Sequence, residues 1–513
     1  MNSISVFNTE LGNAAGSLLI AARHFGERTA VLEASGGRMV SFEGLWRRAL
    51  ALACRLRNSG VRSGDRVAIL LERGVESATS YFGVLACGGV AVLLSETLKA
   101  RQIDYILSHS GARFVVCADG LLDRLPELLP SDAKVIKING LSEQMPAADL
   151  DLTPRTGADM SHIIYTSGST GMPRGVVVSH ANVWAGMRAV VAYLHINQHD
   201  RIASLLPFGF DYGLNQLLCA IGAGATLVVE RSPVPQRIVQ TLFDHKITVL
   251  PAVPPLWLQL LNVGRFRAER LPSLRVMTNT GGRMPTGAVR SLRGSQPGAD
   301  LILMYGLTEA FRSTYLPPDL VDRKPGSIGR AIPGAEILVV RDDLTPCAPG
   351  EIGQLVHRGP TVTLGYWNDP VATCARFGSN PLRPAGTPDA ERVVFSGDLV
   401  RMDEDGDLFF IGRRDTLIKS LGHRVSPDEI TEVLYGSDEI VESVITTEPD
   451  EMRGDAIIAH VVLKAGGSLE RLKQYAAREM PRYMQPVRYT VHEALARTAS
   501  GKHDSRALSN IEG

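Results

Sequence analysis

Neither sign of charge is in excess in this chain: 54 Lys and Arg balance 54 Asp and Glu over 513 residues. A balanced chain offers no electrostatic footprint for nucleic acid, so nucleic acid is not expected as a partner. Cysteine is sparse, with six residues at positions 54, 87, 117, 219, 347 and 374. They form no CxxC pair and no secreted spacing, which argues against a disulfide framework; Cys87, Cys117 and Cys219 lie in apolar runs and read as buried thiols. Long hydrophobic runs are missing too. The apolar run 87–94 is too short to span a bilayer, and the start MNSISVFNTE has no basic region leading into an apolar core, so no signal peptide is expected. These absences point to a cytoplasmic protein without membrane insertion, either an enzyme or a large binding protein. A Walker A loop, GxxxxGK[ST], is absent, as are a strand–GxGxxG–helix fingerprint and an evident Ser-His-Asp or His-Cys pattern.

What is present is an alternating rhythm. The length calls for two or more domains. Residues 42–58 read as an amphipathic helix, and 76–87 read as helical. Short apolar strands are expected at 66–71, 90–94, 114–117, 134–138, 202–206, 226–229, 247–250, 274–278 and 301–304, which is the pattern of an open α/β sheet. The stretch 145–159 is polar and reads as a surface connection. After Gly326 smaller, more antiparallel elements are expected, at 337–340, 353–357 and 408–411, with an exposed loop over 380–391. Beyond Arg414, a helix at 427–434 and a strand at 459–463 suggest a small second domain.

YTSGSTGMPRG (165–175) places four Ser/Thr hydroxyls, three glycines and a positive charge in eleven residues. It follows an apolar pair, Ile163 and Ile164, and leads into Val176–Val178. Gly168, Gly171 and Gly175 permit unusual backbone shapes. Thr166, Ser167, Ser169 and Thr170 offer hydroxyl donors, and Arg174 can meet phosphate oxygens. A phosphate cradle and a plain structural loop both fit these residues. Other polar residues have equally bland readings. Asp398 after Gly397 would shape a turn, Glu309 would be an acid at a helix start, Tyr305 a packed aromatic, and Arg413, Arg414 and Lys502 surface charge.

Taken in order, however, YTSGSTGMPRG, NTGGRMP (279–285), MYGLTEA (304–310), SGDLV (396–400), GRRDTLIKSLGHR (412–424) and RTASGK (497–502) resemble the motifs of the adenylate-forming enzymes. That superfamily holds acyl- and aryl-CoA ligases, luciferases and the adenylation domains of nonribosomal peptide synthetases. The resemblance implies an α/β fold: a large N-terminal domain with mixed sheets (1–414) binding ATP and the acid, and a small mobile C-terminal α+β domain (415–513) carrying a catalytic lysine. It implies ATP and Mg2+ as cofactors and a small carboxylic acid as substrate, converted to an acyl-adenylate with release of pyrophosphate and then passed to a thiol.

The same resemblance implies roles. Thr166, Ser167, Gly168, Ser169, Thr170, Gly171 and Arg174 would steer the leaving phosphates; Arg174 stands where the family usually has lysine. Gly281 and Gly282 would line the adenine and acid sites, and Tyr305 would stack near the adenine. Thr308 would contact the α-phosphate, and Glu309 would hold the metal. Asp398 would bind the ribose hydroxyls with Arg413 in support. Lys502 would be the mobile lysine of adenylation, Asp415 the hinge, and Gly422 part of the thiol tunnel. One departure is Ala496, where the last motif often has proline.

PFGFDYGLNQ (207–216) bears on the acid. Asp211 stands near the aspartate that pairs with the substrate ammonium in amino acid-activating members; its bland reading is a cap on a helix beginning near Tyr212. Tyr212, Asn215, Leu256, Thr278, Thr280, Met304, Arg312 and Ser313 are the further pocket candidates by motif order. A buried Arg312 would need a partner, either a substrate carboxylate or Asp211, unless it turns outward. These residues suggest an enzyme that activates an amino acid and loads it on a separate carrier protein, since no carrier domain fits after Gly513. The alternative is an acyl-CoA ligase acting on a non-amino acid with coenzyme A as acceptor, to which GHRVSPDE (422–429) is more similar. Two further alternatives are a degenerate adenylate-binding module and a dehydrogenase. The first is disfavoured by the joint presence of Glu309, Asp398 and Lys502, the second by the missing fingerprint.

Overall fold

The helix Phe42–Asn58 shows how closely local chemistry dictates the elements. Ser41 caps it, accepting from the Gly44 amide at 3.0 Å, and Glu43 and Arg55/Arg57 sit at the dipole-favoured ends. Phe42, Leu45, Ala49, Leu52, Ala53 and Leu56 form its buried stripe, which packs on the helix Val75–Ala86. The computed structural model describes residues 12–120, 133–138, 152–166, 173–388, 391–414, 417–421, 423–450, 454–498, 503–504 and 507–508. Ser167, Gly168, Ser169, Thr170, Gly171, Asp415, Gly422 and Lys502 lie outside the described residues.

Three sheets organise these residues. The first has seven strands. Met160–Thr166, Val90–Leu94, Arg66–Leu70, Phe114–Cys117 and Lys134–Lys137 run parallel, and Arg174–Ser179 returns antiparallel beside Met160–Thr166. This hairpin brackets the Gly-rich segment and brings Thr166 opposite Arg174. The second sheet has fourteen strands. Its parallel half comprises Thr29–Glu33, Thr226–Val229, Arg201–Ser204, Val249–Ala252, Val276–Asn279 and Asp300–Tyr305. The chain then turns antiparallel at Thr314–Leu316, Ser327–Ala331, Leu408–Arg413, Arg392–Met402, Ile352–Arg358 and Glu336–Val340. The change of texture after Gly326 is therefore a change of strand direction, since these strands extend the same sheet.

The third sheet has five strands, among them Ile440–Asp450 and Gly454–Leu463, and carries the helices Pro427–Tyr435 and Leu469–Glu479. Ile430, Leu434, Ile457, Val461, Leu472 and Ala476 form its own core. Most expected strands appear within two residues of their predicted limits. Cys87, Cys117 and Cys219 are buried, as their surroundings predict. No helix among the described residues is long and apolar enough to cross a membrane.

Candidate active site

Two neighbouring parallel strands, Val276–Asn279 and Asp300–Tyr305, end side by side, and the segments that follow them carry NTGGRMP and the end of MYGLTEA. Crevices beyond the carboxyl ends of parallel strands are where open α/β sheets bind ligands. Asn279 folds back, its Nδ2 donating to the Gly282 carbonyl at 3.1 Å, while its buried Oδ1 has no partner among the described residues. Gly281 takes φ 84° in this turn, and Gly282 faces the Pro254 ring.

Asp398 is braced from two sides. Leu408–Arg413 pairs with Arg392–Met402 so that Arg413 lies directly opposite Asp398, and Arg413 Nε donates to Asp398 Oδ1 at 3.1 Å. The Tyr305 hydroxyl donates a short hydrogen bond to Oδ2. Burial, and then the Asp398 charge, push the Tyr305 hydroxyl well above its ordinary pKa, so it remains a donor. Gly397 takes φ 71°, and a Cβ there would lie 2.6 Å from Arg376 Nη1. Asp398 thus sits beside the tight turn that Gly397 makes.

Thr308–Ala310 forms a 3-10 turn. Tyr366 donates a short hydrogen bond to Glu309 Oε1, and Arg376 Nε stands 3.9 Å from the same oxygen. Arg174 lies over the Tyr366 ring, 5.6 Å from its centroid, and 3.6 Å from Asp369. Tyr366 therefore joins the end of the Gly-rich hairpin to Glu309. Burial, and then the Glu309 charge, push the Tyr366 hydroxyl up. Tyr366 and Arg376 escape sequence reasoning: Tyr366 is 57 residues from Glu309 in the chain and belongs to a two-residue strand with no periodic signal.

The helix Asp211–Ala223 opens with Asp211 itself, after an N-cap at Phe210. Asp211 Oδ1 accepts from the Tyr212 amide at 2.7 Å, and Thr308 Oγ1 lies 3.3 Å from Oδ2. Arg312 is buried, its Nη1 3.9 Å from Asp211 Oδ2, so of the expectations for Arg312 the outward turn is the one overturned. Tyr212, Asn215, Thr278, Thr280 and Met304 are all buried around these groups. The Tyr212 hydroxyl meets Thr278 Oγ1 at 2.6 Å, and Tyr193 donates to Met304 Sδ at 2.9 Å. Leu256 is half-buried and packs against both large cores. Ser313 is engaged elsewhere: its hydroxyl meets His357 Nδ1 at 3.0 Å, and burial pushes that imidazole down to about 4.

The small sheet touches this region from one side. Glu432 accepts from the Thr286 amide at 3.0 Å, at the start of the helix Thr286–Ser295, and faces Arg283 at 3.9 Å. Asp428 is half-buried there, and desolvation raises its pKa.

Comparison with known proteins gives two family matches. The AMP-binding enzyme model covers residues 19–367, and the AMP-binding enzyme C-terminal domain covers 429–502. The chain is 30% identical over 489 residues to novobiocin biosynthesis protein H of Streptomyces niveus, a match spanning 92% of this chain and 79% of that protein. It is 31% identical over 480 residues to part of tyrocidine synthase 2 of Brevibacillus parabrevis, spanning 92% of this chain but only 13% of that protein's length. Among solved structures, o-succinylbenzoate CoA synthetase from Bacillus subtilis with its acyl-adenylate intermediate superposes with TM-score 0.84 at 26% identity, covering 98% of this chain and 99% of that one. The same synthetase with ATP and magnesium ion gives 0.83 at 26% identity, covering 96% and 98%.

Proposed function

The chain belongs to the AMP-binding enzyme family, and from that premise we propose that it is an AMP-forming ligase that activates a non-amino carboxylic acid and passes it to the thiol of coenzyme A. The first half is ATP- and Mg2+-dependent formation of an acyl-adenylate. The observation that carries the choice of acid is the state of Asp211. Its carboxylate already has Arg312 at 3.9 Å, the Thr308 hydroxyl at 3.3 Å and the Tyr212 amide at 2.7 Å. Its charge is therefore already shared with Arg312, which leaves it less to offer a substrate ammonium than an amino acid pocket would need. The near-complete coverage of a CoA synthetase supports the same reading.

A carboxylate and a triphosphate are both anions, so the site must offset repulsion. In this reading a carboxylate oxygen attacks the α-phosphorus, and the α–β bridging bond breaks to release pyrophosphate. A thiolate then attacks the acyl carbon and AMP leaves. Asp398, held by Tyr305 and Arg413, accepts from the ribose hydroxyls and fixes the nucleotide. Thr308 would turn its one hydroxyl proton from Asp211 to the α-phosphate, and Lys502 supplies positive charge where the two anions meet. Glu309 fits a hard cation, since its Tyr366 and Arg376 contacts both fall on Oε1 and leave Oε2 as an oxygen ligand. Mg2+ bound there would act as a Lewis acid on the phosphates. The residues 1–414 then form the ATP- and acid-binding domain and 415–513 the mobile one.

Acid-dependent pyrophosphate release with Mg-ATP, followed by thioester formation, tests this. Across matched pairs of amino acids and their deamino analogues, the deamino acid is expected to have the higher kcat/KM. A consistent preference for the amino acid would sink the choice of substrate class. Thioester on a phosphopantetheinyl carrier protein but never on coenzyme A would instead make the carrier the acceptor.

A further inference from the structure

Beyond its contact with Asp211, the guanidinium of Arg312 has no task in the reading above. Its side chain is 3% exposed. Nη1 donates to the Phe311 carbonyl at 2.8 Å and is the nitrogen nearest Asp211. The guanidinium lies over the Tyr212 ring, 4.7 Å from its centroid. Nε and Nη2 are buried and have no hydrogen-bond partner among the described residues. These two nitrogens share one edge of the guanidinium plane, and their parallel N–H bonds match the two oxygens of a carboxylate. Burying such donors unpaired is costly.

The surroundings say what kind of group would complete that edge. Tyr212, Asn215, Gln216 and Cys219 recur at i, i+3, i+4 and i+7 and so share one face of the helix Asp211–Ala223. The Arg312 charge bears on Tyr212 and Cys219 from this face and on Tyr193 from the helix His180–Tyr193. Asn215 Nδ2 is also buried, with the Cys219 thiol beside it and no nitrogen or oxygen acceptor among the described residues. Gln216 adds one unpartnered donor group and one acceptor and leaves the balance unchanged. The surplus is of donors around a cation only partly neutralised by Asp211, so the missing group accepts hydrogen bonds and is anionic.

We propose that the acid activated here is a dicarboxylic acid, with one carboxylate presented to ATP and the second held side-on by Nε and Nη2 of Arg312. This rests on the ligase reading and names its substrate class. Asp211 touches Thr308 with the same oxygen that faces Arg312, so the two carboxylates are held a short chain apart.

The test uses the full chain, Mg-ATP, and malonate, succinate, glutarate, adipate and phthalate, each beside its half-amide. Pyrophosphate release gives kcat/KM for wild type, Arg312→Leu and Arg312→Lys, and the Mg-ATP-induced rise in Tm reports nucleotide binding separately. In wild type at least one diacid should exceed its half-amide by about a hundredfold. Arg312→Leu should bring the pair within about threefold, and Arg312→Lys, which keeps the charge but not the fork, should fall between. If the leucine variant does not fold, the lysine variant and the wild-type ratio decide. Equal turnover of half-amide and diacid in wild type, or a ratio that Arg312→Leu does not move, overturns the proposal. Turnover confined to monocarboxylic acids overturns it and leaves the ligase reading standing. Silence with every acid while Mg-ATP still raises Tm overturns both.

Discussion

His357 links the candidate site to the pH dependence of the fold. Its ring meets Ser313 at 3.0 Å and Thr361 at 2.9 Å, and burial takes its pKa from 6.5 to about 4. The folded state therefore keeps it neutral at a pH where the unfolded chain binds a proton. The stability this contributes is complete above 6.5 and is lost as pH falls toward 4. At pH 5 the loss is about 1–2 kcal/mol. His180 and His162, held by burial near 4 and 3, act in the same direction. Tm should drop between pH 7 and pH 5, and His357→Gln should show a smaller drop; equal drops would show that His357 has no part in it. Sequence reasoning names Ser313 but not this partner, because a lone histidine in a strand carries no signal until the fold brings Ser313 beside it. Asp398, Tyr305 and Arg413 are legible as motif residues, whereas their mutual hydrogen bonds depend on the register between Leu408–Arg413 and Arg392–Met402.

At the scale of elements, the helix His180–Tyr193 and the segment after MYGLTEA are fitted to each other. A Cβ on Gly186 would lie 2.3 Å from the Phe311 ring, and Phe311 itself takes φ 62°, a conformation that non-glycine residues seldom adopt. The ring is buried and cannot retreat easily. Gly186→Ala would gain about 1 kcal/mol of helix propensity but lose about 1–3 kcal/mol to overpacking, so a net loss of stability is expected. Urea unfolding should show a lower midpoint, together with a lower kcat/KM for the acid because Arg312 follows Phe311. A raised midpoint would mean that the ring moves freely. Strands such as Phe114–Cys117 and Thr226–Val229 have the predicted limits because short apolar runs between turns leave few options. The order of strands is not legible in the same way. Thr29–Glu33 pairs with Thr226–Val229 across almost two hundred residues, a pairing set by packing of the whole domain.

For the whole molecule, the proposed division at 414/415 assigns the two half-reactions to two placements of the smaller domain. Lys502→Ala should then cut acyl-adenylate formation far more than thioester formation from preformed acyl-adenylate, because its charge is needed only while two anions react. Separate assays of the two steps check this, and equal losses would refute the division of labour. The motif order makes the two-part plan legible, but which surfaces meet is not, since Glu432 and Arg283 belong to no common motif.

That meeting surface has a consequence for how the enzyme responds to its medium. Glu432 sits at the dipole-positive start of the helix Thr286–Ser295 with Arg283 opposite, both partly open to water. Attractions of this kind are weakened by mobile ions within a screening length of about 8 Å at physiological ionic strength. Added electrolyte therefore loosens this contact. Under the proposed two-placement scheme, ionic strength would become a dial on how long the smaller domain stays in this placement, shifting the pace of one half-reaction against the other without any change to the residues proposed to bind ATP or the acid.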